Sequence, residues 1–288
     1  MNSKISSQTL NKLPSKIPKE TFLQKLLGDN YKWWFLFKFS FKSGTTYRYS
    51  NMFWLFGSLV NIGAILVVWY ANSQSGSTLY NFPTIFTYFV VSGIANEFFE
   101  MHFYGHLASE IYSGKINNKL LYTTNLFGFY FVRHFGKTLL FSFYEIVLLS
   151  LILIFGFQFL ILPSFWNFIF FILLQFLGLI ASVFLSFVVG FSAFFMTESE
   201  GLINFVANVK NVSAGKFFPL TILPITSFLI YSPFSLFFYH PMQIYLGKYD
   251  NFQTFLVFLG GVFWCIFLYF LAKFVFKMGL KKNESVGL

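Results

Sequence analysis

The sequence predicts an all-α membrane protein with six transmembrane helices. Three features carry that prediction: scarce charge, long uninterrupted apolar runs, and Lys/Arg confined to alternate loops. Of 288 residues, 56% are hydrophobic and 10% charged, with a mean hydropathy of +0.65. Soluble domains carry roughly 25% charged residues, so a water-soluble fold of this length would lack polar surface. Met52 to Ala71 holds no charge. At 1.5 Å per residue such a run crosses a hydrocarbon core of about 30 Å. Inside lipid every backbone polar group needs a partner within the chain, which favours helices.

Residues 1–50 form the first region, a basic N-terminal segment predicted to lie in the cytoplasm. It carries Lys4, Lys12, Lys16, Lys19, Lys25, Lys32, Lys38, Lys42 and Arg48 against Glu20 and Asp29. Pro14 and Pro18 mark its opening part as loosely ordered. A long polar start, rather than a short basic stretch before an apolar one, argues against a cleaved signal peptide. From Phe22 to Phe41, Trp33, Trp34, Phe35, Phe37, Phe39 and Phe41 interleave with lysines. Two readings fit: an amphipathic helix at the headgroup level, with ammonium groups meeting anionic lipid, or a helix packed on a partner subunit.

The transmembrane region occupies 51–280, followed by a cytoplasmic tail, 281–288. Span 1 is 52–71, and the Asn72–Asn81 loop is uncharged. Span 2 runs from Pro83 to Phe103. A mixed stretch to Thr124 contains Glu110, Lys115 and Lys119. An amphipathic lead-in, Leu126 to Phe135, precedes span 3 at 137–158; Pro163 marks a turn, and span 4 is 165–194. Residues 202–239 are apolar but interrupted by Lys210, Gly215, Lys216, Pro219, Pro224 and Pro233. This predicts a broken fifth span, with a Pro-kinked single helix as the alternative. Span 6 is 253–276. The N-terminal segment, the 104–137 stretch and the tail are basic, whereas 72–82 and 159–165 have no Lys/Arg and 240–252 only Lys248. The alternation places both termini in the cytoplasm of a multi-pass protein of the bacterial inner (plasma) membrane.

The 47 Phe residues read as lipid-facing and packing groups. Cys265 is the single cysteine, which excludes an intrachain disulfide and a cysteine metal site. Gly136-Lys137-Thr138 resembles the end of a phosphate-binding loop, but Phe131 stands where that loop needs glycine. His102 and His106, spaced i, i+4, permit a metal pair; the competing reading is polar residues where span 2 leaves the membrane. Intramembrane charge is more informative because it is expensive. Glu97 and Glu100 at i, i+3 are expected on one helix face, Glu145 falls within span 3, and Lys210 lies near mid-membrane. Lys210 is expected either to pair with one of these carboxylates, or to snorkel or lie in an interfacial helix.

The ordered series Ser213-Ala214-Gly215, Phe218-Pro219-Leu220, Leu223-Pro224, Ser232-Pro233-Phe234, Tyr239-His240-Pro241 and Gly247 resembles the ABC-2 type transporter permeases. Ile111 to Ile116 followed by Leu120-Leu121 resembles that family's segment after span 2. Ala214 between Ser213 and Gly215, His240 before Pro241, and Thr123-Thr124 in place of a proline depart from the pattern. The resemblance implies an N-terminal interfacial helix, a cytoplasmic coupling helix and a re-entrant extracellular hairpin before the last span. It assigns Glu110, Ile111, Tyr112, Ser113, Gly114, Lys115 and Ile116 to contact with an ATPase subunit. It assigns Lys210, Gly215, Pro219, Pro224, Pro233 and Pro241 to the pathway or broken span, beside the intramembrane charges Glu97, Glu100 and Glu145.

The implied function is the permease subunit of an ABC exporter. Its partners are an ATP-binding cassette ATPase, a second permease, identical or homologous, and membrane lipid, but no nucleic acid. No cofactor is expected in this chain; ATP and Mg belong to the partner, so the chain is not itself an enzyme. The competing functions are a membrane-embedded enzyme acting on lipid, which needs a His/Asp/Glu cluster at one membrane face, and a proton-coupled secondary transporter, which needs internal repeats.

Overall fold

A computed structural model describes residues 30–45, 48–74, 81–121, 125–221 and 224–286. The basic residues up to Asp29, Thr123-Thr124 and Leu223 lie outside the described residues. Helices and turns account for the described chain, with no strand among them, so the all-α class holds.

Helix α1 spans Tyr31–Gly44 and α2 Arg48–Gln74. Helix α3, Phe82–Phe99, opens with Asn81 accepting from the Thr84 backbone N–H at 3.3 Å and with Pro83 in its first turn, where a missing N–H costs nothing. Helix α4 is Tyr104–Tyr112 and α5 Lys115–Leu120. Between them Gly114 adopts φ 68, a left-handed conformation that glycine takes without steric penalty. Helix α6, Leu126–Gly156, fuses the expected amphipathic lead-in and span 3 into one element. Asn125 caps it by accepting from the Phe127 N–H at 3.0 Å. Helix α7 is Phe165–Phe191, α8 Glu200–Ser213, α9 Tyr239–Tyr245 and α10 Asn251–Val286. Short 3₁₀ turns, Pro224–Tyr231 and Pro233–Leu236, join α8 to α9.

Among the described residues, three stretches are long and apolar enough to cross a membrane: Leu126–Ile154, Phe165–Phe195 and Asn251–Asn283. They expose apolar side chains to the surroundings; Phe263 is 58% and Phe270 63% exposed. Patches of that kind fit lipid rather than water. Two expected spans differ in form. Helix α3 stops at Phe99, before the expected Phe103, and α8 has 14 residues, about 21 Å at helical rise, short of a bilayer core. Helix α10 continues through the expected tail to Val286.

Two larger apolar cores, beside a smaller one of Leu174, Leu236 and Ile244, fill the bundle. One gathers Ile85, Phe89, Phe171, Phe238 and Met242 near the start of α3 and α7. The other gathers Met101, Phe103, Leu107, Ile116, Tyr130, Phe187 and Phe191 at the opposite end. Helix α1 lies along the first half of α6. Cβ atoms added at Gly128, Gly136 and Gly44 would meet Trp33, the Phe37 backbone and Leu140 within 3.0 Å. Helix α1 thus packs on its own chain. Lys32, Trp34, Phe35, Lys38, Phe39, Phe41 and Lys42 remain outward.

Candidate coupling and pathway site

The α4–α5 hairpin is built around Glu110, which is 6% exposed. His106, one turn earlier on α4, places Nε2 3.1 Å from Oε1. The left-handed Gly114 folds α5 back, so that Lys119 donates to Oε2. Helix α6 adds Tyr130, whose hydroxyl donates to Oε2, and Arg133, whose Nη1 donates to Oε1 at 3.1 Å. Burial pushes the Glu110 carboxyl up, but hydrogen bonds from His106, Lys119 and Tyr130 and the Lys119 charge outweigh it and hold the group well below the carboxylate range.

This arrangement divides the predicted contact residues. Glu110 and Ile116, read from sequence as part of the partner-facing set, point into the chain, and Ile116 is fully buried. Ile111 is half-buried. Tyr112 is 43% exposed, and Ser113, Gly114 and Lys115 face outward beside Asn117 and Asn118. The reason is electrostatic. A carboxylate ringed by two cations and a phenol recovers in its own chain what it loses in hydration.

Between α3 and α4 the chain unwinds. Glu100 has φ −112 and ψ 120, and residues 100–103 are not helical. Helix α7 satisfies the freed backbone. Ser182 Oγ accepts from the Met101 N–H at 3.0 Å, while Ser186 Oγ accepts from the Phe103 N–H at 3.3 Å and donates to the Met101 carbonyl at 3.0 Å. Because the helix ends at Phe99, Glu97 and Glu100 do not share one continuous helix face, contrary to the i, i+3 expectation. Glu100 forms an ion pair with Lys210 of α8, and both side chains are 9% exposed. Glu97 instead lies within electrostatic range of Glu145, which is buried on α6. The His102–His106 face is lost to the same break. His106 turns to Glu110 and His134, and no group of three or more potential metal ligands occurs among the described residues.

The fifth segment breaks at Gly215 rather than at a proline. Helix α8 ends at Ser213, and Gly215 takes φ 83. Its carbonyl accepts from Tyr88 Oη at 2.9 Å, and the Ala214 carbonyl accepts from the Tyr239 N–H at 3.0 Å. Pro219 is buried just beyond the break. Pro224 and Pro233 open the two 3₁₀ turns, and Pro241 sits buried in α9. His240 bridges the Ile230 carbonyl and Tyr249 Oη, each at 2.9 Å.

Sequence reasoning did not find Tyr88, Tyr130, Arg133, Ser182 or Ser186. The i, i+4 pair of serines on an otherwise apolar helix was the available signal.

Outward apolar belts, buried ion pairs and unwound segments satisfied by neighbouring helices define an integral membrane protein with its polar contacts held inside the bundle. Residues 50–287 match the family model described as ABC-2 family transporter protein, and the chain belongs to that family. No curated protein matches it.

Proposed function

We propose that the chain is the membrane-spanning permease subunit of an ABC exporter in a bacterial inner membrane. It crosses six times with both termini in the cytoplasm, and the segment from Gly215 to Gly247 forms a re-entrant hairpin at the outer face. A separate ATPase subunit binds ATP and Mg and docks on the outward turn Tyr112–Lys115. Two permeases, each with an ATPase, complete the pathway, and the α8 break lies beside it. The lysine and aromatic side chains left outward on α1 meet anionic lipid at the headgroup level.

The observation that carries this reading is the bracing of the turn. Tyr112, Ser113, Gly114 and Lys115 are exposed, yet the helices behind them are fixed to α6 through Glu110. A lever needs that combination of an accessible contact and a rigid mounting. The test is affinity purification of the tagged chain from its native membrane. An ATP-binding cassette ATPase is expected to co-purify, and Tyr112→Ala with Lys115→Glu is expected to release it while the permease remains folded. Purification with no ATPase would refute the assignment, as would retention of the ATPase by the double variant at undiminished level.

A further inference from the structure

We propose that the α4–α5 hairpin, the start of α6 that holds Glu110 through Tyr130 and Arg133, and the adjoining half of α7 move as one body, with Ser182 and Ser186 as positioning residues and the unwound 100–103 segment as the joint to α3. The inference rests on the permease reading and adds the route by which motion enters the bundle. On sequence alone, α4 is the continuation of span 2, and a pull on it would travel along α3. The hydrogen bonds direct it elsewhere.

The unwound segment makes three bonds to α7 through two side chains: Met101 N–H to Ser182, Phe103 N–H to Ser186, and Ser186 to the Met101 carbonyl. Beyond it, Leu107 sits in a notch at Gly190, where an added Cβ would lie 2.6 Å from the Leu107 side chain. Met101, Phe103 and Leu107 belong to the same apolar core as Leu179, Val183 and Phe187 of α7, whereas most of α3 belongs to the other core. Tyr104 of α4 and Ala181, Leu185 and Val189 of α7 stay with the α3 core, so the hairpin joins the second core through Met101, Phe103 and Leu107. A non-helical segment transmits bending poorly, and a helix clamped by side-chain bonds and a close-fitting notch transmits displacement well. The Glu100–Lys210 pair lies at the same joint and ties α8 to it, so a shift of α7 relative to α3 also reaches the broken fifth segment.

Two measurements test the proposal. The first needs no ATPase: amide hydrogen exchange in lipid nanodiscs. Ser182→Ala/Ser186→Ala is expected to speed exchange at Met101 and Phe103 about tenfold, while Leu107, bonded to the Phe103 carbonyl within α4, keeps its protection. Ser182→Thr/Ser186→Thr is expected to restore slow exchange. Unchanged exchange in the alanine variant overturns the clamp. The second uses the complex with its ATPase and nitroxides on a Cys265→Ala background. The Asn117–Ile180 distance is expected to stay within about 2 Å between nucleotide-free and ATP-bound states, while the Asn117–Asn81 distance changes by more. An equal change in Asn117–Ile180 overturns the one-body motion. If no ATPase binds, the permease reading fails, and the exchange result still decides whether the serines hold the segment.

Discussion

Glu100 and Glu110 stand ten residues apart, both deeply buried, and are neutralised in opposite ways. Glu110 has His106, Lys119, Tyr130 and Arg133 around it, contributed by α4, α5 and α6. Among the described residues, Glu100 forms its ion pair with Lys210, contributed by α8. A site held from four directions has a single low-energy arrangement. A site held by one ion pair between two helices can separate if both charges find water or other partners. The hairpin thus has a many-sided mount, and the junction of α3, α7 and α8 rests on a simpler ion pair.

Charge removal tests this contrast most strongly. Glu110→Ala leaves Lys119 and Arg133 facing each other in a buried setting, and the expected loss is about 4 kcal/mol, read as a lower melting temperature and faster proteolysis near Gly114. Pairing Glu110→Gln with Lys119→Met should not restore stability, because Arg133 remains. Lys210→Met removes the ion-pair partner of buried Glu100 and costs about 3 kcal/mol. Here a second change suffices: adding Glu100→Gln should recover most of the loss, since a removed buried pair is often neutral. Equal rescue at both sites would erase the distinction.

The fifth segment gives a smaller effect of a different kind. Gly215 combines φ 83 with a neighbour that an added Cβ would meet at 2.8 Å, the Tyr88 hydroxyl. Gly215→Ala should cost about 2 kcal/mol, from left-handed backbone and the displaced hydroxyl. Tyr88→Phe, which removes the bond to the Gly215 carbonyl, should cost about 1 kcal/mol. If both variants melt like the parent, the break is not held by this contact.

The apolar elements were legible because length and hydropathy leave little choice: the expected span at 165–194 and helix α7 coincide within a few residues. Lys210 was legible as a charge needing a partner, since lipid penalises a lone ammonium; which carboxylate it meets was not. The break at Glu100 was invisible because residues 100–103 contain neither Gly nor Pro. It is held open by serines about eighty residues later in the chain, a tertiary cause that local pattern does not encode. The inward turn of Glu110 was missed for a related reason. Amphipathic spacing identifies a polar face, and a short helix can direct that face to water, to a partner or, as here, to cations of its own chain.

The smallest effect is expected from pH, at the Glu110 site. The Glu110 carboxyl lies well below its ordinary value of 4.5, because hydrogen bonds from His106, Lys119 and Tyr130 and the charge of Lys119 prevail over burial. A depressed carboxylate stabilises the fold fully above its unfolded value and loses that contribution as pH falls through 4.5 toward the folded value. The groups facing it are His106, Lys119, Tyr130 and Arg133. Hairpin amide protection in nanodiscs should therefore weaken as pH falls below about 4.5. In Glu110→Gln the loss below pH 4.5 should vanish, because the group that takes up the proton is gone. An acid transition that persists unchanged in that variant would place the responsible proton elsewhere and remove Glu110 as the fixed mounting of the hairpin.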